Sequence, residues 1–116
     1  MMSDLSKFPV SGEPGRVVLL DRGGIYYIEA EGDDSLIRTA RRKRYPHVEP
    51  LETVEGRLPS PPFFPIHRSY IVNLDRVYEL RSRGDGEWEV KMDPPVNKVL
   101  PVSRRRMDEF RALLGI

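Results

Sequence analysis

The sequence predicts a mainly β domain of short strands with two short helices, and three observations carry that reading. Short runs of β-branched and aromatic residues recur along the chain, several with alternating polarity. Most end at a cluster of Gly, Pro, Asp or Asn, the residues that set turn geometry. Only two stretches place apolar residues at helical spacing, and both are short. At 116 residues the chain fits one domain with a single core, and leaves no room for a core plus a deep cofactor cleft.

Residues 1–15 combine Ser, Pro, Gly and mixed charge, and read as a disordered leader or the stub of a linker, with the domain proper spanning 16–116. Arg16 to Leu20 is a strand stopped by Asp21-Arg22-Gly23-Gly24. Ile25 to Glu31 alternates, with Tyr26, Ile28 and Ala30 on one face and Ile25, Tyr27 and Glu29 on the other. Gly32-Asp33-Asp34 is a turn, Ser35 to Ala40 the next strand, and Arg41 to Arg44 a loop tip. Leu51, Val54, Glu55 and Leu58 form a short helix closed by Pro59 and the Pro61-Pro62 pair. Strands follow at about 63–67, 70–73 and 76–82, a Gly84-Asp85-Gly86 turn leads to Trp88–Met92, and Lys98–Val102 is the last strand. Ser103 suits the N-cap of a closing helix whose apolar stripe is Met107, Phe110, Leu113 and Leu114.

Composition excludes several functions. There is no cysteine, so disulfides, thiolate zinc sites and thiol catalysis are absent. His47 and His67 are the only histidines, which rules out a histidine metal triad. No apolar run approaches the ~18 residues of a membrane helix. The first 15 residues lack an apolar signal core, which places the expected site of action in the cytoplasm. No nucleophile elbow, oxyanion loop or carboxylate pair stands out, so no enzyme and no cofactor is expected.

The net charge of +1 conceals segregation. Of 19 bases and 18 acids, residues 1–34 hold three and seven, leaving sixteen bases and eleven acids in the remainder. Two cationic, hydroxyl-bearing points stand out there. His67-Arg68-Ser69 interrupts an apolar, strand-rich segment, as a turn with something to touch would. Ser103-Arg104-Arg105-Arg106 opens the closing helix, where the positive end of the dipole disfavours each arginine by about 0.3–1 kcal/mol. A docked phosphate would relieve that conflict, as would pairing with Asp108 and Glu109. Arg68 can engage guanine O6 and N7 in a bidentate contact, or a carboxylate of its own chain; Ser69 can bond a phosphate. His67 reads as a structural histidine. Arg38 and the tip Arg41, Arg42, Lys43 and Arg44 read as peripheral electrostatic steering. Trp88, Tyr26, Tyr27 and Phe64 read as core. Together these features point to double-stranded DNA, ahead of RNA or single strands, and ahead of an acidic protein or small-anion ligand.

These residues also fit a known pattern. Phe64-x-x-His67-Arg68-Ser69-Tyr70-Ile71-Val72-Asn73-Leu74-Asp75-x-Val77 resembles the signature of the LytTR DNA-binding domain. Ile25-x-Tyr27-Ile28-Glu29-Ala30 upstream and Leu100-Pro101-Val102-Ser103-Arg104-Arg105 downstream follow in the family's order, so the resemblance covers about residues 16–114. It implies an elongated β-β-β arrangement of short antiparallel sheets that reads DNA through loops. It further implies an output module of a bacterial transcription regulator, with two copies on direct repeats and a receiver or other sensory domain in cis or in trans. This chain would then be an excised output domain or a small stand-alone regulator. Carried over, the DNA contacts are the turn ending at Ser35, then Arg68 toward bases with Ser69 toward phosphate. The third is the Ser103 to Arg106 entry, with Arg105 toward bases and Ser103 toward phosphate. The chain departs from the pattern at Pro65, where members often carry a base, and at the acidic Asp33-Asp34 turn.

Overall fold

A computed structural model describes residues 6–41 and 43–116. Ten strands follow one another: β1 (Lys7–Glu13), β2 (Arg16–Asp21), β3 (Ile25–Glu31), β4 (Asp34–Thr39), β5 (Arg44–His47), β6 (Phe63–His67), β7 (Tyr70–Asn73), β8 (Val77–Gly84), β9 (Glu87–Met92) and β10 (Val99–Val102). Helix α1 (Leu51–Arg57) lies between β5 and β6, and α2 (Met107–Leu114) closes the chain. The strands form three antiparallel sheets, ordered β1-β2, β5-β4-β3-β7-β6 and β10-β9-β8. The body measures 47 × 29 × 26 Å, the expected elongated, mainly β shape.

The five-stranded sheet is buried on both faces, which explains its sequence. On one face Tyr27, Phe64 and Val72 pack against Val90, Met92, Leu100 and Val102 of the third sheet and against Met107 and Phe110 of α2. The Phe64 and Phe110 rings stack with centroids 5.7 Å apart. On the other face Ile28, Ile37, Phe63 and Ile71 meet Phe8 and Val10 of β1 and Val54 and Leu58 of α1. The simple alternation expected for β3 does not hold. A bulge between Ile25 and Tyr27 shifts the register by one residue, so Ile25 and Ile28 share the second core while Tyr26 and Tyr27 both serve the first.

Two further segments differ from expectation. Residues 7–13, read as leader, form β1, paired with β2. Its inward positions Phe8 and Val10 are 1% and 2% exposed, and the alternating Lys7, Pro9 and Ser11 mask the pattern. Residues 1–5 lie outside the described part. Arg44, expected at a loop tip, opens β5 instead, so the exposed turn between β4 and β5 is shorter than predicted. β1 is held to β5 by backbone and side chain together. Val48 N–H donates to the Ser11 carbonyl at 2.9 Å, and Ser11 N–H to His47 Nδ1 at 3.0 Å. At Gly12 the Pro46 carbonyl occupies the place a Cβ would need. With Nδ1 accepting, His47 carries its proton on Nε2, 2.7 Å from Glu49, which also receives Arg57 at 2.5 Å. Burial pushes the Glu49 carboxyl up, but the hydrogen bonds from His47 and Arg57 outweigh it and hold it below the usual range.

Because Phe8 is a buried ring of the second core, Phe8→Ala should cost about 3–5 kcal/mol of unfolding free energy, read from the midpoint of a denaturant titration. A change under 1 kcal/mol would return β1 to the status of an optional leader.

Candidate nucleic-acid interface

The turn joining β6 to β7 is built by its own residues. Ser69 N–H donates to His67 Nδ1 at 3.1 Å, and the Ser69 carbonyl accepts from Ala30 N–H at 2.9 Å. The His67 ring leans on Tyr70, centroids 5.8 Å apart. His67 is therefore structural, as expected, and Arg68 stands exposed at the tip.

The second cluster is tied to the first. Ser103 N–H donates to the Ile66 carbonyl at 2.7 Å, which places the residue after β10 beside the residue before His67. Here the predicted cap is corrected. Ser103 is extended, its hydroxyl makes no capping bond, and Arg104–Arg106 form a 3-10 turn before α2 begins at Met107. The first turn of α2 carries Asp108 and Glu109 with Arg106 at its N-cap, so acids offset the one arginine that meets the positive end of its dipole. The arginines differ among themselves. Arg104 donates to the Asp85 carbonyl at 2.8 Å and lies 3.8 Å from Glu87. Arg106 lies 3.8 Å from Glu109, the pairing considered from sequence. Among the described residues neither Arg68 nor Arg105 makes an ion pair, and both are exposed. A shallow groove of about 230 Å³ separates the clusters, lined by His67, Arg83, Trp88, Val102, Ser103 and Arg104.

Strand register extends the basic surface. On one face of the large sheet Arg44 lies opposite Arg38, Arg38 opposite Tyr27, and Tyr27 opposite Val72. The adjacent row runs Pro46, Leu36, Glu29, Tyr70, His67. Arg38 and Arg44 thus share the face that carries His67. Burial raises the Tyr70 hydroxyl pKa, Glu29 adds to the rise and Arg44 opposes it. The phenol therefore stays a hydrogen-bond donor at neutral pH. The sequence pattern includes Tyr70 without a role, and its register opposite His67 and Glu29 is what brings it to this surface. Arg41 and Lys43 are exposed in the β4–β5 turn, and Arg42 lies outside the described residues.

Ser35 is a correction. The resemblance places it among the DNA contacts, at the end of the acidic turn, but it is 1% exposed and its hydroxyl has no partner among the described residues. It shares its face of β4 with Ile37, which points into the second core, so the side chain is turned away from solvent. Asp33 and Asp34 are exposed in that turn.

Residues 15–115 match the family model described as the LytTr DNA-binding domain. The chain belongs to the LytTR DNA-binding family. It is 35% identical over 113 residues to the CO-responsive transcriptional regulator RcoM of Rhodospirillum rubrum, covering 97% of this chain and 46% of that protein. It is 32% identical over 103 residues to the transcriptional regulatory protein YpdB of Escherichia coli, covering 87% of this chain and 41% of that protein. The chain thus spans less than half the length of these relatives. Among solved structures, the LytTr DNA-binding domain of a putative methyl-accepting/DNA response regulator from Bacillus cereus superposes with a TM-score of 0.81 at 23% identity, covering 97% of this chain and 99% of that one. This confirms the LytTR fold. The domain is a DNA-binding module. Among the described residues no helix is long and apolar enough to cross a membrane.

The Ser103 geometry yields a direct expectation. Since its hydroxyl makes no cap bond, Ser103→Ala should leave unfolding free energy within about 0.5 kcal/mol of wild type, where loss of a true cap costs roughly 0.5–2 kcal/mol. Thermal and denaturant unfolding decide between the two.

Proposed function

We propose that this LytTR domain is the output domain of a bacterial transcription regulator that reads double-stranded DNA through loops entering the major groove. The observation that carries the reading is the coupling of the two arginine clusters. One hydrogen bond from Ser103 to Ile66 joins them at a single region of the body, with Arg68 and Arg105 exposed. In this reading Arg68 and Arg105 provide base contacts, each a planar fork matched to guanine O6 and N7. Ser69, Ser103, Arg104 and Arg106 contact phosphates and fix register. Arg38, Arg41, Lys43 and Arg44 supply a sequence-independent field, and Arg42 joins them by sequence alone. Ser35 takes no part.

Two domains on direct repeats would double the readout without any contact between them, since binding energies of tethered copies combine through effective concentration. A sensory or receiver domain, in the same chain or a partner, would then act by setting that concentration. The span of less than half of each regulator cited above supports this arrangement.

The test begins with duplexes selected by the domain from random sequence, inspected for a repeated half-site. Arg68→Ala and Arg105→Ala should each remove about 1–3 kcal/mol of affinity for the selected duplex and leave non-specific binding nearly intact. Wild-type titration curves for both variants at fixed salt would overturn the base-contact assignment.

The Arg38→Ala, Arg44→Ala double variant should behave differently. It should weaken all duplexes alike and flatten the slope of log affinity against log salt by up to about 2 units. Loss confined to one sequence would move these residues into the specific contacts.

A further inference from the structure

The β8–β9 tip is remote in sequence from both arginine clusters, yet the fold delivers it to one of them. The pairing of Val102 with Trp88 sets the register so that the residues after β10 run alongside the turn at 84–87. That turn is held in an unusual backbone: Gly84, Asp85 and Gly86 all have positive φ, 89°, 54° and 77°. A non-glycine residue in this region is uncommon and carries a conformational cost. The result is that the Asp85 carbonyl, and not its carboxylate, receives the Arg104 guanidinium at 2.8 Å.

The choice of acceptor matters. A neutral carbonyl fixes the direction of a long, flexible side chain while leaving its charge unneutralised. Four of its five N–H donors remain for other partners. The Glu87 carboxylate, at 3.8 Å between groups 59% and 67% exposed, is a weak, screened neighbour.

We infer that the Gly84-Asp85-Gly86 tip is a positioning element of the nucleic-acid surface, holding Arg104 ready for a phosphate through the Asp85 carbonyl; this rests on the DNA reading above. Freezing a rotamer-rich side chain before binding removes an ordering cost from association. Asp85 touches no DNA in this scheme and acts through Arg104.

The probe is the duplex selected by the wild-type domain, titrated at fixed salt. Gly86→Val forces a β-branched residue into positive φ. No heavy atom lies within 4 Å of the added Cβ, so the disturbance is conformational and confined to the exposed tip. It should weaken binding about two- to tenfold, the scale of ordering one long side chain. Gly86→Asn, which tolerates the same φ, should restore wild-type affinity. In an Arg104→Ala background Gly86→Val should have no further effect. In the free domain, rotation of the Arg104 guanidinium followed by NMR should be slowed in wild type and fast in Gly86→Val. Asp85→Val serves in the same way should Gly86→Val melt earlier than wild type. Wild-type binding by the valine variants, multiplicative losses with Arg104→Ala, or equal loss in Gly86→Asn would each overturn the proposal. So would a weakening by Glu87→Gln as large as that by Gly86→Val, since the carboxylate would then be the anchor. Arg68→Ala in the same titration reports on the DNA reading separately, and the guanidinium measurement needs no DNA at all.

Discussion

A β-sheet that is apolar on both sides must be covered twice, and here each end of the chain supplies part of one cover. β1 and α1 close one face; the third sheet and α2 close the other. At about 25 cal/mol per Å² of apolar area removed from water, neither face could be left bare in a domain of this size. The need for a second cover draws the N-terminal strand into the fold. The need for the first brings β10 against β6, which is what sets Ser103 beside Ile66 and joins the loops of the recognition surface.

Much of this was legible in the chain. The turn residues and short β-rich runs located most strands, and the His-Arg-Ser interruption located the tip carrying Arg68. The failures have identifiable physical causes. β1 was hidden because only Phe8 and Val10 of its seven residues point inward, and the rest are Lys, Pro, Ser, Gly and Glu. The β3 alternation failed because a bulge changes the face of every residue beyond it and leaves no compositional mark. Ser35 sits in the strand that was predicted, but which face of that strand meets water depends on β1, and so could not be read locally. The Ser103 cap failed because the chain spends three residues in a tighter turn before its α-helix begins.

The recognition surface also shows how little net charge says about a small domain. Arg104 and Arg106 lie near carboxylates, Arg81 and Arg83 lie close to Glu89, and Arg68 and Arg105 are left open. The field a polyanion meets is set by which guanidinium groups the fold leaves without an acid. The half-exposed pairs are weak enough to exchange a carboxylate for a phosphate, since pairs of this kind contribute at most about 1 kcal/mol in water.

The contacts around His47 reach further than the packing of one buried ring. From the Ser11 amide the chain of hydrogen bonds passes through the imidazole to Glu49 and on to Arg57, whose guanidinium lies 5.4 Å from the centre of the Phe8 ring. Strand β1 and helix α1 are thereby clasped into one mechanical unit beneath the large sheet. Removing the His47 ring would therefore unfasten the strand and the helix together, since Phe8 and Val54 pack in the same core on that side of the sheet.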